Sequence, residues 1–476
     1  MRFKKLAAIG LAVSMVFSVA ACGEKPEENN KGNEEPGDKT KDPQKEKSGI
    51  PDVDLGGFSF VLGDWWSPAV YEEKSPVTAW DQMVSDYHHE MEKKMNFTFS
   101  EIGLQNKGNY SDVLVNSFIA NDPACHAFYA ETSALTSMAA QGLLYDLSTL
   151  DAFDFENDPK WSKKIIDYFT INGKVYAARP AEDEPRLGIL YNKRLLSEAG
   201  VDPELPYQLQ ASGQWDWAHF EELCAKLCQD TNNDGVTDIY AFGGNDCEMM
   251  CVGIYGNGAV FVDRDESGKF VDGTSKPNFL EGLTWSVGLL DKGYVKSFGS
   301  GDAWDSAYVD FANGQIGMLV SQTWIITTYL AEMQDEFGYV MLPAGPSGHN
   351  CTNMIPTPIC IPACLDQETA NKTATIINSW FDERKNIEGA EAMNVTFKDT
   401  YYKQFRDAKA VDETVNSMVT DPKCQVYDSY YLIPNYEYFG YLVEVAARSA
   451  TPAEKIAALQ PVNQAAIDAA NVLFGN

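Results

Sequence analysis

Beyond residue 50 the apolar positions fall into two alternating periods, and these set out the elements. FSFVLGD (Phe58–Asp64) is apolar enough for a buried strand that opens into a loop. Thr78 to Met95 carries helical spacing, and NFTFSEIG predicts a second strand. Tyr110 to Ala120 reads as a helix, ACHAFYA (Ala124–Ala130) as a third strand, and the run through Gln141 as another helix. A β-α-β-α-β order predicts a parallel sheet with helices on both faces. Ligands of such open sheets sit beyond the carboxyl ends of the strands. That brings Asp64, Trp65 and Trp66 after the first strand, and Glu131 and Thr132 after the third, to one crevice.

From Ile171 to Asp202 the pattern predicts a hairpin turn at Asn172-Gly173, a strand, a polar loop, a further strand and a helix. In WDWAHFEELCAKLCQD, residues Phe220, Leu223, Cys224, Leu227 and Cys228 form a stripe at i, i+3, i+4 spacing. The stripe accounts for Cys224 and Cys228 as small apolar residues on a buried face. Cys247/Cys251 and Cys360/Cys364 repeat the four-residue spacing, and a metal site there stays open, as does the redox state of the thiols. DTNNDGVTDIYA (Asp230–Ala241) follows. Asp230, Asn232, Asp234, Val236 and Asp238 match the first nine positions of a calcium loop, with Gly235 at its turn. Position 12 is Ala241, which offers no side-chain oxygen. The choice is between a structural calcium ion completed from elsewhere and a metal-free turn. No other cofactor is called for.

The first 50 residues differ from the rest. Arg2, Lys4 and Lys5 precede an uncharged apolar run from Leu6 to Ala21, long enough for a signal segment and short for a membrane span. Val19-Ala20-Ala21-Cys22 resembles a bacterial lipobox, which implies lipidation of Cys22 and residues 1–21 as a cleaved signal. Residues 22–50 lack aromatics, cannot bury a core, and read as a tether reaching about 30 Å. The expected location is the outer face of the cytoplasmic membrane, held by lipid alone. The body of the chain is long enough for two or three domains, with 44% hydrophobic residues overall. A formal charge of −32 argues against nucleic acid and anionic membrane as partners.

Enzyme chemistry finds little footing. Asp183 and Glu184 are adjacent on one loop and do not flank a substrate as two glycosidase carboxylates must. His89 has Lys93, not a second His, four residues on, so a zinc-protease helix is not supported.

Five segments in order, NGKVYAARP, ILYNKRLLSEAGVD, WDWAHFEEL, FANGQIGMLVSQTW and MLPAGPSG, resemble the bacterial extracellular solute-binding proteins of the maltose-binding type. These are lipoprotein receptors of ABC importers. The resemblance implies an α/β fold of two hinge-linked lobes, the periplasmic-binding-protein fold of class II, with a ligand cleft between them. It implies a first lobe of residues 51–183 plus about 360–405 and a second of 184–355 plus about 410–476. Crossings are implied near Ala181–Leu187, near Met354–Ile361 and within Thr396–Asp428.

By the same resemblance, Trp324 stands where relatives stack a sugar, and Glu131 where they receive hydroxyls. Asn245 and Asp246 match a loop facing the cleft. Glu184 and Arg186, with Glu182 and Asp183, lie on the first crossing, and Tyr436 is the late aromatic. Of Trp65 and Trp66, one is expected in the cleft and one packed. The expected partners are a carbohydrate, an oligosaccharide by preference, and the permease of an ABC importer, with the receptor a monomer. A peptide or cationic ligand, or a sensor without transport, would use the same cleft.

Overall fold

Strands β1 (Phe58–Asp64), β2 (Phe97–Gly103) and β3 (Ala127–Tyr129) begin the first of two sheets. The computed structural model describes residues 49–105, 107–179, 185–296, 303–382, 386–387 and 396–475. The expected signal, most of the tether, Cys22, Glu182, Asp183 and Glu184 lie outside the described residues. β1 pairs in parallel with β2 and β3, with Phe58 opposite Phe97 and Leu62 opposite Ala127. β4 (Gly188–Asn192), β5 (Tyr240–Gly243), β6 (Ile316–Ser321) and β7 (Phe337–Val340) make the second sheet, in the order β7-β4-β6-β5. It is mixed: β6 runs parallel to β5 and antiparallel to β4. β8 (Ile359–Cys360) returns to the first sheet, antiparallel to β3. The third strand is shorter than ACHAFYA predicts because Val61 and its neighbours pair with only Ala127–Tyr129 in ladder register, while His126 bonds sideways to Val61 through its backbone and its ring.

Local chemistry sets the helix ends. Thr78 and Asp81 form a capping box that starts α1 (Ala79–Met95), and Asn96 in the left-handed region ends it. α2 (Lys107–Ile119) and α3 (Thr132–Ala140) follow. Asp216 caps α4 (Trp217–Leu227) by accepting the His219 amide, and the helix buries Phe220, Leu223, Cys224 and Leu227. Cys228 departs from the expected stripe. It is the C-cap, half-buried, with its thiol toward the Gly293 carbonyl. α5 (Asp246–Gly256) and α6 (Pro277–Asp291) lie against each other. The hairpin turn is present, with Asn172 and Gly173 both at positive φ.

Each sheet is covered on both faces. In the first, Phe60, Leu62 and Phe97 pack with Met91, Ala374 and Ile377 on one side, while Phe128 packs with Tyr110 and Leu114 on the other. In the second, Ile189, Tyr191, Met318 and Val320 face Phe220 and Met250. Leu190, Leu319 and Tyr339 face Phe311, Tyr401 and Phe405. The Phe405 ring lies 5.2 Å from Tyr339, so the segment around it belongs to the second lobe.

The connections run side by side. Ala178 pairs with Ile359 and Pro185 with Met354, both antiparallel, and Met354 donates to the Val426 carbonyl. Thr352–Asn353 runs parallel to Gln425–Val426. Three strands of backbone thus pass together between the sheets.

Candidate functional site

At the first sheet, β1 ends at Asp64, whose side chain is fully buried. Its Oδ1 accepts the amides of Trp66 (2.8 Å) and Ser67 (2.7 Å), which turns the chain sharply. The two indoles of that turn meet edge to face at 4.8 Å. Trp65 packs edge-on to Tyr110 at 5.2 Å, and the Tyr110 hydroxyl donates to the carbonyls of Gly63 and Tyr129. Trp66 stays 50% exposed, with its ring 5.0 Å from Tyr129 at the end of β3. Glu131 occupies the cap position of α3 without bonding the helix amides; its Oε2 accepts from the Ser111 hydroxyl at 2.8 Å. Behind Trp66 lies Glu101 of β2. Burial, and then its hydrogen bond and charge repulsion with Asp64, push its carboxyl up to about 7.

At the second sheet, β6 leads into Gln322 and Trp324. Three rings surround the Trp324 indole: Tyr308 and Tyr329 at 6.0 Å and Trp304 at 6.4 Å. Trp304 is 63% exposed. Polar groups are tied beneath the rings. Gln322 donates to Glu248 at 3.0 Å, the Tyr308 hydroxyl donates to the same carboxylate, and the Tyr329 hydroxyl donates to Asp305 at 2.7 Å. Asn245 ends the turn after β5. Its Oδ1 caps α5 through the Cys247 amide at 3.0 Å, and burial pushes the adjacent Asp246 carboxyl upward.

Arg186 is engaged with the crossings. It donates to the Ile355 carbonyl (3.2 Å), to the Thr357 hydroxyl (2.7 Å) and to Gln322 (3.4 Å). It therefore links the second crossing to the floor beneath Trp324. Glu184 lies outside the described residues.

Tyr436 faces inward. It is buried in the second lobe, its ring 6.0 Å from Tyr430 and its hydroxyl toward the Phe261 carbonyl. The proline-containing turn at Ile433–Asn435 rotates it inward, and Tyr438 is the half-buried residue instead. Tyr438 stacks at 4.6 Å on Tyr430, and burial, with Cys247, Cys251 and Glu131 nearby, pushes its phenol up to about 12. Sequence reasoning also missed Trp304, Tyr129, Glu101 and Glu248. Glu101 lies within a strand and Glu248 within a helix, where no sequence pattern marks them, and Trp304 sits in a loop with no pattern either.

The calcium-like loop closes on itself. Asp230 accepts the Asp234 and Gly235 amides, Asp234 accepts that of Val236, Asn232 accepts that of Asp234, and Asp238 accepts the Thr231 amide and hydroxyl. Among the described residues no group of three or more His, Cys, Asp or Glu side chains is placed to hold a metal ion. Cys125, Cys224, Cys228, Cys247, Cys251, Cys351, Cys360, Cys364 and Cys424 are free thiols. Among the described residues no helix is long and apolar enough to cross a membrane.

Residues 86–397 match the sequence model of a family described as bacterial extracellular solute-binding protein. No curated protein matches the chain. Among solved structures, the chain is similar to an ABC substrate-binding protein from Listeria monocytogenes in complex with cycloalternan, at 18% identity and TM-score 0.58, covering 88% of this chain and 99% of that one. It is similar to the cyclic alpha-maltosyl-1,6-maltose binding protein from Arthrobacter globiformis at 16% identity and TM-score 0.61, covering 87% and 99%. UgpB from Mycobacterium tuberculosis, in complex with glycerophosphocholine, stands at 15% identity and TM-score 0.61, covering 87% and 98%. At these identities the likeness is one of fold: two α/β lobes with mixed sheets.

Proposed function

The chain belongs to the bacterial extracellular solute-binding proteins, and from that premise we propose that it captures an oligosaccharide between its lobes and delivers it to the permease of an ABC importer. One observation carries the reading: aromatic surfaces stand at the carboxyl ends of both sheets. Trp66 and Tyr129 form the first, and Trp324 with Trp304, Tyr308 and Tyr329 the second. The C–H faces of sugar rings pack on such rings, while hydroxyls need fixed donors and acceptors. Glu131, Asn245 and Tyr438 supply those at the rim. The family and the structural neighbours are binding proteins; one neighbour is in complex with cycloalternan and another is a cyclic alpha-maltosyl-1,6-maltose binding protein. In this reading Cys22 carries the lipid, the protein acts as a monomer outside the membrane, and no cofactor is required.

A second reading has its own support. Aromatic rings with a carboxylate also hold quaternary ammonium groups, Glu131 follows the strand end where Trp66 packs on Tyr129, and one neighbour is in complex with glycerophosphocholine. Titration calorimetry with linear and cyclic maltooligosaccharides and with choline separates the two. We expect heat from a maltooligosaccharide, with a Trp324→Ala loss of roughly 30-fold or more in Kd, the scale of a buried aromatic anchor. Binding of choline alone, or an unchanged Kd in Trp324→Ala, would reject the sugar assignment.

A further inference from the structure

The acid pair behind Trp66 is the part of the groove that sugar capture leaves unused. Glu101 lies opposite Leu62 in the parallel register of β1 and β2, and Asp64 is two residues further on, so both carboxyls leave the sheet on one face. Asp64 Oδ1 is engaged by two backbone amides. Its Oδ2 is buried and receives no donor from any amide, amine or hydroxyl. The acid beside it on the same face of the sheet is Glu101; burial and then Asp64 push that carboxyl up, while Lys74 and the Trp66 side chain favour its ionised form. Two bare carboxylates there would repel, and the desolvated oxygen would be left unsatisfied. One proton between them satisfies both.

We propose that Glu101 is a positioning residue: it shares one proton with Asp64, and that proton, together with the grip of Asp64 on the turn, fixes the Trp66 indole at the first-lobe wall of the groove. The consequence for binding rests on the solute-binding reading above; the pairing itself does not.

The surroundings are acidic. Lys74 favours the ionised form of Glu101, while burial first, and then the charges of Glu73, Glu92 and Glu101, push Tyr71 upward. Glu92 is committed to the Phe99 amide at 2.6 Å, and Glu73 to Ser85 and His89. Neither of these acids donates to the pair. Glu101 is pushed up to about 7, so the proton is held below that pH and lost above it. An unfolded glutamate gives up its proton near the model value of 4.5. Folded stability from this pair therefore falls as pH climbs from there to about 7, and the turn at Trp66 loosens over the upper part of that range.

The fluorescence of the parent protein minus that of Trp66→Phe isolates this indole. In ligand-free protein the difference is expected to titrate once, with a midpoint at about 7. Glu101→Gln keeps the hydrogen bond and carries its protons at every pH, so it is expected to hold the low-pH signal throughout. With maltotetraose as the probe, the parent Kd is expected to rise roughly tenfold between about pH 6.5 and about pH 8, the dependence of a single linked proton, and that of Glu101→Gln to stay flat. A difference signal without a titration, or the same midpoint in Glu101→Gln, overturns the shared proton. A titrating indole in a protein that ignores maltotetraose upholds the shared proton and removes the sugar reading alone.

Discussion

Asp428 shows how a single side chain can fix a crossing. It is buried, and its carboxylate accepts the amides of Phe261 (2.7 Å), Val262 (3.0 Å) and Tyr430 (3.2 Å). Its backbone carbonyl accepts the Tyr168 hydroxyl, which comes from the first lobe. Asp428→Ala removes the acceptor of all three amides and leaves them in the interior. Unsatisfied buried donors cost roughly 1–3 kcal/mol each, and a broken buried charge site typically 3–5 kcal/mol in all. We expect a loss of about 3–5 kcal/mol in urea unfolding, with Asp428→Asn intermediate because its amide group faces one of the donors. A loss under 1 kcal/mol would mean that the crossing is held elsewhere. At this scale the sequence was a partial guide. Trp324 is placed by its distance from a buried strand, and the structure finds it at the strand end among rings. Tyr436 fails because YYLIPNYEYFGY offers five tyrosines within a dozen residues, and only the turn geometry decides which of them faces inward.

Elements pack through positions where side chains are missing. α5 and α6 cross at Gly253 and Gly282, and a Cβ on either would lie 2.1 or 2.4 Å from the carbonyl oxygen of the other. Both obstacles are backbone, so no rotamer change relieves them. Gly253→Ala and Gly282→Ala are expected to cost about 1–3 kcal/mol each. Gly288, on the same helix α6, has nothing within 4 Å of its would-be Cβ. Gly288→Ala should instead stabilise by about 0.5–1 kcal/mol through helix propensity. Thermal melts of the three variants check the contrast; equal effects would remove the close crossing. The periodicity of FSFVLGD or WDWAHFEEL reveals an element because one face must be buried. It does not reveal the partner. The amphipathic run near Phe405 suits a core face of either lobe, and only the Tyr339 contact assigns it. The same limit hid Glu101, since a lone acid in NFTFSEIG gives no sign that Asp64 lies beside it.

For the whole molecule, binding and closure are separable. The three crossing segments pair with one another through Ala178–Ile359, Pro185–Met354 and the Met354–Val426 hydrogen bond, so the two sheets are joined by one shared band of backbone. A solute held by one lobe alone interacts equally with open and closed arrangements and shifts neither. Closure needs contact with both walls at once. Trp66 belongs to one wall and Trp324 to the other, so Trp66→Ala should leave a weakened complex on the second lobe that no longer closes, and Trp324→Ala the converse. Solution scattering at saturating maltooligosaccharide is the measurement: the parent is expected to contract, and each single variant, though saturated, to keep its ligand-free radius. If either variant contracts as fully as the parent, that indole is not one of the two grips, and the closing contact has to be sought at another residue of the same wall.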